Sequence, residues 1–108
     1  MKDAIFHPSI RKVIQNFPKE IRREMGKAIR ELQEGLSLGM PMSRTMPSVA
    51  QGVSELRFKD SAGQYRVFYY TKHSSGILIF HAFTKKTQKT PDREIDVGRK
   101  RLRELIDG

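Results

Sequence analysis

Residues 55–91, ELRFKDSAGQYRVFYYTKHSSGILIFHAFTKKTQKTP, decide the fold. Two segments of alternating polar and apolar side chains, Val53 to Lys59 and Gln64 to Thr71, flank Asp60-Ser61-Ala62-Gly63. That composition favours a tight turn in which Gly63 can take a positive φ. A hairpin closed there pairs Lys59 with Gln64, Arg57 with Arg66 and Glu55 with Phe68. Strand side chains alternate between faces, so Leu56, Phe58, Val67 and Tyr69 share one face, expected to be core, and both guanidinium groups share the other. Like charges directly opposite one another repel. The Arg57/Arg66 pair therefore calls for an anion between them, with Glu55 as a partial candidate. Alternatively the two arginines only keep a solvated sheet face soluble, or are covered by a carboxylate from another segment.

The strand Ile77 to Phe83 reads as buried and is followed by Thr84-Lys85-Lys86-Thr87-Gln88-Lys89. Three lysines where a strand leaves the sheet suit an anion site; the competing reading is solvated surface. His81 sits inside ILIFHAF and is expected to be a satisfied core histidine rather than a catalyst.

Upstream, Ile10, Val13, Ile14 and Phe17 recur at helical spacing, and Pro18 suits the first turn of a second helix because its missing N–H costs nothing there. That helix is expected to carry Ile21, Met25, Ala28, Ile29, Leu32 and Leu36 on one face and to stop near Gly35 and Gly39. Residues Asp3 to Phe6 are a short strand or a frayed start. Ser37 to Ser54 reads as a long connection holding Pro41, Pro47 and three methionines, Met40, Met42 and Met46, expected to cap the core, the alternative being an adaptable contact surface for a partner. A last helix begins at Thr90-Pro91, with acidic residues in its first turns and basic ones later, in line with the helix dipole. Its apolar face comprises Ile95, Leu102, Leu105 and Ile106. The order of short strand, two helices, three strands and one helix predicts an α+β fold, a small antiparallel sheet packed with an N-terminal helical hairpin and a C-terminal helix.

The 108 residues have room for a single domain, 1–108. With 37% apolar and 31% charged residues, the core must come from narrow amphipathic faces. No stretch is apolar enough to span a membrane, no signal-peptide pattern is expected at the start, and the absence of cysteine excludes disulfides and thiolate metal sites. A cytoplasmic protein fits this pattern. The net charge of +9 points to a polyanionic partner such as nucleic acid or a nucleoprotein particle rather than to a membrane surface. No His/Asp/Glu cluster has ligand-like spacing, so no metal is expected.

ELRFKDSAGQYRVFYY, then ILIFHAFTKKTQKTP and EIDVGRKRL, together with the upstream NFPKEIRREMGKAIRELQEG, resemble the RelE/ParE toxin superfamily, and most closely its HigB-like branch, which also occurs in phages. The resemblance implies a microbial RNase-like fold and the toxin of a type II toxin-antitoxin pair. Such a toxin enters the ribosomal A site and cleaves mRNA by attack of a ribose 2'-OH on the adjacent phosphate, without metal or organic cofactor. It implies as partners the ribosome, mRNA and a cognate antitoxin, acidic on its contact surface or of the helix-turn-helix HigA-like kind. By motif, Arg66 matches the strand arginine that contacts the scissile phosphate. Arg57 and Lys59 stand where relatives place catalytic groups, and Lys85 stands where relatives carry a cation for the leaving group. Lys86, Gln88 and Lys89 would extend the RNA contact. Glu55 is a candidate base or a salt-bridge partner, and Tyr70, on the Arg66 face, a candidate for base stacking. Some relatives use a C-terminal His or Tyr, which RLRELIDG lacks. Two other readings carry different chemistry: a ParE-like DNA gyrase inhibitor without nuclease activity, and a non-catalytic basic nucleic-acid-binding module.

Overall fold

A computed structural model describes residues 1–108. Strand β1 (Ala4–Phe6) leads through a 3-10 turn (Pro8–Ile10) into α1 (Arg11–Gln15) and α2 (Lys19–Gln33), followed by β2 (Ser43–Thr45), β3 (Val53–Asp60), β4 (Gly63–His73), β5 (Gly76–Lys85) and α3 (Asp92–Asp107). The five strands form one sheet in the order β1-β5-β4-β3-β2, with only the β1–β5 pairing parallel. The α+β expectation holds. The hairpin register is the expected one, with Lys59 opposite Gln64, Arg57 opposite Arg66 and Glu55 opposite Phe68. It is fixed by the turn, where one Asp60 carboxylate oxygen accepts hydrogen bonds from the backbone N–H groups of Ala62 and Gly63. Gly63 closes this turn without taking a positive φ.

Both faces of the sheet are packed, each by its own cluster. On one, Ile21, Met25, Ala28, Ile29 and Leu32 of α2 meet Leu56, Phe58, Tyr65, Val67 and Tyr69. On the other, Ile95 and Leu102 of α3 meet Val53, Phe68, Leu78, Phe80 and Phe83, closed over by Met46 and Val49. The arginine-bearing face is therefore not a solvated face: α3 covers one half of it with apolar contacts. Gly98 allows this approach, since a Cβ there would stand 2.8 Å from a Phe68 ring carbon.

Several expectations need correction. The segment Ser37 to Ser54 is not all connection, because Ser43–Thr45 adds an edge strand to β3, held on the core side by a 2.5 Å hydrogen bond between the Ser43 and Tyr69 hydroxyls. Helix α2 ends at Gln33, and Gly35 turns the chain with φ +91, which leaves Leu36 exposed rather than on the helix face. Ile106 is likewise exposed, because Leu102 and Leu105 already fill the contact of α3 with the sheet. Of the methionines, Met46 is buried and Met42 packs at the core margin, whereas Met40 is exposed.

A β-bulge decides which face the end of β5 presents to α3. Phe68 pairs with His81 but Tyr69 pairs with Ile79, so Phe80 is an extra residue in β5. Phe80 and His81 both turn toward α3, and from there Phe83 and Lys85 keep that face. Without the bulge, simple alternation from Leu78 would put Lys85 on the α2 side.

Candidate functional site

Three rows of side chains cross the α3 face. Arg44, Glu55, Phe68 and His81 are aligned by register; Arg57, Arg66 and Phe83 form the next row, and Lys59, Gln64 and Lys85 the third. The apolar cluster of α3 takes in Phe68 and Phe83 but none of the cations of the three rows. The boundary falls on Glu55.

Glu55 has no exposed side-chain surface, and neither of its carboxylate oxygens has a hydrogen-bond partner. Its Oε1 lies 3.6 Å from Arg66 Nε and 3.9 Å from Arg57 Nε. Burial drives the Glu55 carboxyl above its ordinary value, against the pull of Arg66, Lys85, Arg57 and Arg44. The cations respond to the same setting. Arg66 is 3% exposed and Lys85 6% exposed, and burial lowers the pKa of each, with Arg66 adding repulsion on Lys85. Arg66 is further fixed by donating to Gln64 Oε1 at 2.6 Å and to the Tyr65 carbonyl at 3.3 Å. Arg57 reaches outward, its Nη1 3.2 Å from Met40 Sδ.

Cations held this close around one buried counter-charge have the arrangement of a candidate anion site. It opens into a cavity of about 750 Å³ whose wall includes Arg57, Gln64, Arg66, Lys85, Lys86 and Gln88. Beyond it, Gln88 and Lys89 share a second depression with Arg44. The structure thus brings together Glu55, Arg57, Arg66 and Lys85, with Lys86, Gln88 and Lys89 along one rim. Lys59 is exposed at the other rim, in a cavity that also holds Arg57 and Arg66.

Two candidates stand elsewhere than their chemistry needs. Tyr70 shares the face but pairs with Val53 and Leu78 at the far end of β4, packing against α3's cluster and beside Gly52, and it lines none of these cavities. Glu55 lies beneath the guanidinium groups rather than in the opening, so as a base for a bound hydroxyl it is out of reach while Arg57 stays in place. Its role in this geometry is to hold and charge-balance the arginines. Arg44 was not legible as part of the site, because its place depends on an edge strand only three residues long.

His81 is the satisfied core histidine expected. Its Nε2 contacts Glu94 at 2.7 Å and its Nδ1 accepts from Arg101 at 2.9 Å, while burial lowers its pKa. His7 is also buried and ties the start of the chain to Glu104 of α3 at 2.8 Å.

No helix is long and apolar enough to cross a membrane. Among curated proteins none matches the chain. The family model described as Phage derived protein Gp49-like (DUF891) matches residues 12–103, from α1 to the penultimate turn of α3 and so across every element of the site. The chain belongs to the Gp49-like family of phage-derived proteins.

Proposed function

We propose that this protein is the toxin of a type II toxin-antitoxin pair, of the HigB-like branch, and that it is a metal-independent endoribonuclease cutting mRNA in the ribosomal A site. The observation that carries this reading is the cluster of Arg66, Arg57 and Lys85 assembled over a buried, hydrogen-bond-starved Glu55 and opening to solvent. A phage-derived family and a net charge of +9 are in keeping with it.

In the reaction, the ribose 2'-OH gives up its proton to solvent as its oxygen forms a bond to phosphorus, the bond from phosphorus to the 5'-oxygen breaks, and the products are a cyclic phosphate and a 5'-OH. Negative charge grows on the non-bridging oxygens, where Arg66 and Arg57 supply fixed donors that need no reorganisation. Lys85, whose pKa is lowered by burial and by Arg66, is the group suited to give a proton to the departing 5'-oxygen. Lys86, Gln88 and Lys89 would track the flanking phosphates, and Lys59 lies on the opposite rim. A cognate antitoxin would have to cover this basic opening.

Primer extension on a defined mRNA, with and without translating ribosomes, tests the reading. Ribosome-dependent cuts within codons are expected. Growth arrest without any cut would favour gyrase inhibition instead, and salt-sensitive RNA binding without product or arrest would favour a plain binding module.

A further inference from the structure

A second cavity, of about 360 Å³, adjoins the cation cluster and shares Arg57, Gln64 and Arg66 with the larger opening. It lies where β2 has ended and β3 continues alone, so α2 is reached around the sheet edge. Its remaining wall includes Pro41, Met42, Lys59 and Glu24. Glu24 is the one carboxylate in a cavity otherwise lined by cations, apolar side chains and the Gln64 amide. Of the three glutamates of α2, Glu20 pairs with Arg23 while Glu24 and Glu31 have no ion-pair partner, and of the three only Glu24 lines this cavity.

A carboxylate repels phosphate, so Glu24 must face a different part of whatever the cations hold. Beside a phosphate, a ribonucleotide offers donors in two places: the ribose 2'-OH, which presents one, and the base edge, which can present two side by side. Pro41 and Met42 supply an apolar wall for a base face, and Glu24 supplies two acceptor oxygens for its edge. In unpaired RNA the Watson–Crick edge is open to such contacts. Guanine alone presents two adjacent donors there, N1–H and the N2 amino group, matching a carboxylate's two oxygens; adenine, cytosine and uracil each present one.

Resting on the nuclease reading for its substrate, we propose that this cavity receives the base next to the phosphate held by Arg66, and that Glu24 is a specificity-determining residue selecting guanine.

The test has two arms, both with the full chain. Equilibrium binding compares oligoadenylate carrying one guanine with oligoadenylate alone, for wild type, Glu24→Gln and Glu24→Ala. The guanine-containing RNA should bind wild type about tenfold more tightly, within the range of a two-bond base contact, and the variants should lose that difference. Codon-resolved cut maps should move in parallel, the share of cuts beside guanine falling in both variants. No guanine preference in wild type, or a preference that survives Glu24→Ala, overturns the proposal. Guanine-selective binding that depends on Glu24, from a protein that cuts nothing, would support the base pocket while sinking the nuclease reading.

Discussion

Glu55 sets the energetic character of the site because every cation in it answers to that one carboxylate. Its burial holds the carboxyl above 4.5, its ordinary value, so over the interval just above 4.5 the folded chain keeps a proton that the unfolded chain has lost. Stability contributed by this group therefore falls as pH rises through that interval. Glu55→Gln removes the titration, and urea midpoints across the interval should decline less steeply with pH in the variant than in wild type. The same variant should lower cleavage, because Arg57 and Arg66 lose the charge that holds their guanidinium groups together. Arg66→Ala takes away the nearest counter-charge of a fully covered carboxylate and should cost about 3 kcal/mol, read from the urea midpoint. Arg57, half-buried, should cost less. At this scale the pairing of Arg57 with Arg66 was legible in the sequence, since a turn of Asp-Ser-Ala-Gly leaves few registers open. The burial of Glu55 was not, because it depends on β2 pairing beside it and on Arg57 and Arg66 packing against it, and no local pattern encodes that.

The helices and strands place the site more than they form it. Helix α3 can approach the sheet only because position 98 lacks a side chain; Gly98→Ala drives a Cβ into the Phe68 ring, which is itself fully buried. Overpacking of this kind should cost about 1–3 kcal/mol, visible as a fall in Tm of roughly 5 °C or more for a domain of this size. A gain in stability would mean that α3 is free to slide off the ring. The bulge at Phe80 has the same positional importance, since it brings Lys85 round to Glu55. Neither the bulge nor β2 could be read beforehand: ILIFHAF is apolar but for His81, so alternation carries little signal, and Ser-Arg-Thr between prolines has the composition of a loop. The periodic helices and the hairpin were readable because their apolar spacing is forced by burial of one face. Leu36 and Ile106 show where periodicity overruns an element, one past a glycine turn and the other past the end of the sheet contact.

Across the whole molecule, the charge of +9 is concentrated into function only where the fold gathers it. RNA binding should weaken with salt with a log-log slope of roughly −2 to −4, as expected for a few phosphate contacts on a single strand, and Lys86→Ala should make that slope shallower by about 0.7. Filter binding or fluorescence anisotropy over a salt series would read both; a slope near zero would rule out the phosphate track. The central claim is that Arg66 and Lys85, assembled over Glu55, hold and transform an mRNA phosphate. Single-turnover cleavage of a defined mRNA on purified translating ribosomes tests it most directly, comparing wild type with Arg66→Ala and Lys85→Ala, each verified as folded by circular dichroism. Losses of about 100- to 1,000-fold in the cleavage rate are predicted, the scale seen when one preorganised transition-state donor is removed. Folded variants that cut within about twofold of wild type, far short of that scale, would contradict it.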